Sequence, residues 1–166
     1  MLTSADLLIQ KGDQRKKALD ENTAQVEFEQ FLEKVSKRKR ELNVNKALSG
    51  SLNLSILTQR NYKIKTLLFQ PGSITSIANI PEGVEILHCY NNVLSELDNL
   101  PESLLELNVV NNALEKLDLS KCVHLKTLLA SFNEIVSIPS LPESLVTLKC
   151  DHNRLQELDL KNTIHL

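Results

Sequence analysis

Five apolar residues recur along this chain at almost constant steps: Ile64, Val84, Leu104, Leu125 and Leu145, separated by 20, 20, 21 and 20 residues. With each taken as position one, position four holds Leu67, Leu87, Leu107, Leu128 and Leu148. Position six holds Phe69, Cys89, Val109, Ala130 and Cys150, and position nine Gly72, Asn92, Asn112, Asn133 and Asn153. Positions eleven (Ile74, Leu94, Leu114, Ile135, Leu155) and fourteen (Ile77, Leu97, Leu117, Ile138, Leu158) are apolar throughout. A unit of this size cannot bury such a set alone. Units with a fixed period therefore stack, each closing the core of its neighbour.

The spacing within a unit says how it stacks. Side chains alternate across a strand, so positions four and six point inward and their neighbours outward. The return path brings positions eleven, fourteen and one back to the same interior. Asparagine at position nine carries two donors and an acceptor, enough to satisfy turn backbone in its own coil and the next. Gly72 lacks that amide and marks the first coil as irregular. The expected architecture is an α/β solenoid, with parallel strands on the concave face and an irregular convex side.

Ahead of the array the pattern is helical, and the division expected is residues 1–50 as a helical region or cap and 51–166 as repeats. Thr3 or Ser4 caps a first helix, with Asp6 at capping-box distance from Thr3, and Gly12-Asp13 reads as a break. A second helix from Asn22 or Thr23 carries Phe28, Phe31, Leu32, Val35 and Leu42 on one face. The basic run Lys34, Lys37, Arg38, Lys39, Arg40 falls on that helix, as a solvated face, a nuclear import signal or an acidic-partner surface. Ser49-Gly50-Ser51 closes the region. Leu52 and Leu54 then alternate as a leading strand would.

Composition narrows the function classes. A formal charge of −2 gives no global footprint for nucleic acid. The apolar stretches are short and interrupted, which argues against a membrane span, and the N-terminus has no basic-then-apolar signal pattern. The 3 cysteines have no metal-type spacing and suit a reducing environment.

Pro81-Glu82, Pro101-Glu102 and Pro142-Glu143 each precede a new coil. The run from Ile138 through Pro139, Leu141, Pro142, Glu143, Leu145, Leu148, Cys150, Asn153 and Leu155 resembles the 20-residue bacterial leucine-rich repeat. That subtype occurs in secreted effectors of pathogenic bacteria, behind a short helical cap similar in position and size to residues 1–50. The resemblance implies a protein-interaction module, plausibly an effector acting on a host protein, and no cofactor. Some members of the family continue into a cysteine-dependent ubiquitin ligase domain. The alternative is therefore the substrate-recruiting part of a larger enzyme, although nothing in these residues matches that domain. The array also departs from the pattern. Asp98, Asp118 and Asp159 stand where Pro139 follows position fourteen, and LDLSKCVHL (117–125) is a longer linker, repeated in shape as LDLKNTIHL (158–166). The last coil is left open, which favours self-association or a missing cap. Localisation is not readable: secretion into a host cell without a cleavable signal, or the cytoplasm.

Candidate sites follow from strand alternation. Cys89 and Cys150 occupy core position six, three coils apart, about 14 Å at the strand spacing and beyond disulfide reach. Cys122 is expected to pack on the convex return. In Cys150-Asp151-His152 alternation sends Cys150 inward and Asp151 outward, so no catalytic residue is assigned. His88 and His152 face outward but three coils apart, so no metal site is assigned either. Positions three, five and seven project from the concave face, and several are apolar where folding does not demand it. Leu68, Ile86, His88, Tyr90, Asn108, Val110, Leu129, Ser131, Lys149 and Asp151 are the expected partner-binding set, with Tyr90 as anchor. The expected partner is a protein, with neither nucleic acid nor membrane.

Overall fold

The computed structural model describes residues 23–166. The first helix expected from Thr3 or Ser4, and the Gly12-Asp13 break, lie outside those residues. Helix α1 covers residues 23–33. Its buried stripe is Ala24, Phe28 and Leu32, a four-residue spacing that places all three on one face. The Phe28 ring lies 6.2 Å from that of Phe69, so α1 closes the first end of the core.

The second helix is much shorter than the sequence pattern suggested. Lys34 and Val35 donate to the carbonyls of Phe31 and Leu32 at 3.1 and 3.0 Å, closing tight turns that end the helix. The Tyr62 hydroxyl, 2.9 Å from the Leu32 carbonyl and 3.2 Å from that of Val35, serves the helix end. The basic run consequently occupies an exposed turn, residues 34–40, instead of a helix face. Leu42 belongs to strand β1 (Glu41–Val44). It remains apolar and buried, but as a strand residue. The helical reading of residues 41–50 is corrected by β1 and by β2 (Ser49–Asn53), whose register shifts at Gly50, φ 106°. A short helix α2 (Ser55–Gln59) follows and buries Leu57.

The repeat then runs as anticipated. Strands β3 (Thr66–Phe69), β5 (Ile86–His88), β7 (Glu106–Asn108), β8 (Thr127–Leu129) and β9 (Thr147–Lys149) join β1 in one parallel six-stranded sheet of order β1-β3-β5-β7-β8-β9. Its register stacks Leu42, Leu67, Leu87, Leu107, Leu128 and Leu148 in one line. All but the last are buried, and each contributes about 1.5–3 kcal/mol relative to exposure. On the return side β2, β4 (Ser73–Ala78) and β6 (Glu96–Leu97) form a second, three-stranded parallel sheet. Beyond it that side is irregular among the described residues, apart from a bridge between Lys116 and Ser137.

The asparagines at position nine tie the coils together, though the direction expected for them is corrected. Each reaches into its own coil and the preceding one, not the following one. The Oδ1 atoms of Asn92, Asn112, Asn133 and Asn153 accept the N–H groups of Ile74, Leu94, Leu114 and Ile135 at 2.9–3.1 Å. Their Nδ2 atoms donate to the position-six carbonyl of their own coil, and the last three also to that of the coil before. Gly72 stands in this column because a Cβ there would lie 2.7 Å from the Leu48 carbonyl oxygen.

Candidate functional site

The concave face is a set of side-chain rows fixed by strand register. Position five runs Leu68, His88, Asn108, Leu129, Lys149, each the Cα partner of the next. Past the strand ends the ladder continues through backbone bonds from Asn91 to Val110 (2.9 Å), Asn111 to Ser131 (3.0 Å) and Phe132 to Asp151 (3.0 Å). Tyr90, Val110, Ser131 and Asp151 at position seven are thereby stepped along the same edge.

The apolar members are less open than alternation alone suggests. Leu68, Ile86, Tyr90, Val110 and Leu129 are half-buried, as are His88 and Asn108. Ser131 is buried, and only Lys149 and Asp151 are fully exposed. Adjacent rows shield one another at the narrow spacing of a parallel ladder. Polar contacts hold several of them and their neighbours. His88 Nε2 lies 2.7 Å from Glu106 Oε1, and Lys65 pairs with Glu85 on the neighbouring coil. Ser131 Oγ donates to Asp151, which also pairs with His152 Nδ1 at 2.7 Å. Those two bonds, Ser131 first, hold the Asp151 carboxyl below its ordinary range.

An aromatic pair that the alternation argument passed over lies at the exit edge. Phe132 is 50% exposed and stacks on His152 with ring centroids 4.2 Å apart and planes 14° from parallel. Both belong to position eight, where Asn91, Asn111, Phe132 and His152 all have φ between 54° and 58°. Asparagine tolerates this left-handed geometry, whereas a bulky Cβ substituent is strained in it. The signal was legible as a column of Asn, Asn, Phe and His, one place before the ladder asparagines.

The cysteines have no partners that would activate them. Burial pushes the Cys89 thiol up to about 12 and Cys122 to about 11. Cys122 is buried on the return side, its Sγ 3.9 Å from the Pro101 carbonyl. Cys150 is half-buried and also raised, by desolvation first and then by the Asp151 charge. In Cys150-Asp151-His152 the carboxylate serves His152 and Ser131. Among the described residues no group of three or more His, Cys, Asp or Glu side chains could hold a metal ion. No described helix is long and apolar enough to cross a membrane.

No family model and no curated protein sequence matches the chain. Solved structures do. YopM from Yersinia pestis, described as a leucine-rich effector protein, aligns with 33% identity and a TM-score of 0.67 over 76% of this chain. YopM from Yersinia enterocolitica WA-314 aligns with 34% identity and a TM-score of 0.54 over 57%. This chain spans 35% of the length of the first structure and 21% of the second. The 20-residue period, the stacked leucines and these likenesses together make it a bacterial-type leucine-rich repeat protein with an N-terminal helix.

Proposed function

We propose that this chain is a protein-interaction module whose concave face binds a partner protein, as part of a bacterial effector acting on a host protein. The observation that carries the reading is the row of half-buried, non-core side chains at Leu68, Ile86, Tyr90, Val110 and Leu129 on a six-stranded rigid sheet. Partly covered aromatic and aliphatic groups beside fixed polar ones make an economical recognition surface, because little side-chain freedom is lost on docking. His88, Asn108, Ser131, Lys149 and Asp151 supply polar contacts around them. The Phe132–His152 pair extends the same surface over the exit edge. The likeness to effector structures supports the host-protein part of the reading.

The test is a Tyr90→Asp, Val110→Asp double variant, compared with the unaltered chain in affinity capture from host lysate with identification of bound proteins. Capture is expected to fall at least about tenfold, the scale of an anchor-residue loss, with an unchanged melting temperature. Equal recovery of the same proteins by both forms removes the concave-face assignment.

A further inference from the structure

The turn between α1 and β1 concentrates positive charge that no carboxylate pairs with among the described residues. Lys34, Lys37, Arg38, Lys39 and Arg40 are all exposed. None of the five forms a salt bridge with another described residue, whereas Lys46, Arg60, Lys65 and Arg154 each face a carboxylate. Five like charges within seven positions repel one another. An approaching anion relieves that repulsion, so the turn attracts negative charge although the whole chain is slightly acidic.

A cavity of about 690 Å³ opens beside the turn. Apolar Phe31, Val35 and Leu42 line it together with Lys34, Lys39, Arg40 and one carboxylate, Glu41, so cations outnumber the acid three to one. Asn43 of β1 and Asn45 just after it border it too, and Asn43 is the register partner of Leu68, so the cleft opens where the concave sheet begins. A neighbouring cavity of about 440 Å³ shares Arg40 and adds Lys63, with Lys65 already paired to Glu85 and the Glu82 carboxylate also in its wall. Cations and apolar side chains in one cleft suit a ligand that is both acidic and apolar.

That combination selects among polyanions. Nucleic acid needs a basic track along its backbone, but the patch is confined to this one end. Along the return side Glu96, Asp98, Glu115, Asp118, Glu157 and Asp159 are exposed and repel a long polyanion. A short peptide reaches the cleft without crossing them. We infer that this cleft docks a short acidic segment of a partner protein, its carboxylates meeting the cationic turn while an apolar side chain enters beside Phe31, Val35 and Leu42. The inference rests on residues other than the concave-face set, so each reading can fail without the other.

Fluorescence anisotropy of a labelled synthetic peptide of repeated Glu-Asp-Phe, titrated with the full chain at about 150 mM salt, tests it. Saturable binding is expected, with no binding of the repeated Gln-Asn-Phe counterpart. The quadruple variant Lys37→Glu, Arg38→Glu, Lys39→Glu, Arg40→Glu is expected to bind at least about tenfold more weakly while keeping its melting temperature. The Tyr90→Asp, Val110→Asp variant is expected to bind the peptide unchanged. Undiminished binding by the quadruple variant overturns the inference. So does failure of the intact chain to bind. Binding of single-stranded oligothymidine or phosphatidylserine vesicles as tightly as the acidic peptide overturns it as well.

Discussion

Asn133 holds two turns of the solenoid at once. Its amide accepts from Leu114 N–H at 3.1 Å and donates to the carbonyls of Val109 and Ala130 at 2.9 and 3.1 Å, in a site only 8% exposed. Asn133→Ala leaves that buried N–H and those carbonyls unmet, an expected loss of about 2–4 kcal/mol in urea unfolding. Asn153 makes the same pattern of bonds one coil later but is only half-buried. Water can replace its amide, so Asn153→Ala is expected to lose less than half as much. Equal losses at the two positions would show that ladder bonding is insensitive to burial. At this scale columns four and six named the core up to the last coil, where Leu148 and Cys150 are half-buried, while Ser131, placed on the open face by alternation, is buried. Phe132 escaped because alternation describes strands, and its left-handed φ of 58° belongs to the turn beyond one.

Among elements, α1 and β1 carry the difference between expectation and structure. Periodicity found the helix through Phe28 and Leu32 but ran it on to Leu42, because an apolar residue at that spacing satisfies both periods. Leu42 and Leu67 are register partners 25 residues apart, not 20, since β2 and α2 lie between them. An interval that breaks the period hides a coil from any search for the period. Capping by α1 is the expected source of stability at this end. Phe28→Ala removes a fully buried ring against Phe69 and is expected to cost about 3–5 kcal/mol. Hydrogen exchange should then speed up in β1 and β3 well before β8. Uniform acceleration across all strands would mean that the chain unfolds as one unit and that the cap has no local role. Tyr62→Phe, which removes only the hydroxyl serving the helix end, is expected to cost about 1 kcal/mol.

For the whole molecule the two ends contrast. Buried Ala24, Phe28 and Leu32 cover the first coil, while at the other end Leu148, Leu155 and Leu158 are only partly buried and Leu160 and Leu166 are exposed. Strand β9 pairs on one side only, with β8. The fold class and the curved sheet were readable from the repeat, because solenoid geometry follows from period and polarity alone. The partner was not, because the rows that face it are free of the constraints that make the core rows recognisable.

The backward reach of the asparagines gives the array a direction, like overlapping roof tiles that must be laid from one eave. Each turn completes the one before it, so a unit engineered onto the far end must bring an amide to meet the N–H of Leu155. One inserted ahead of Ile64 meets Gly72 instead, which has no side-chain amide to accept its N–H. Identical repeats added at these two places should therefore differ in success.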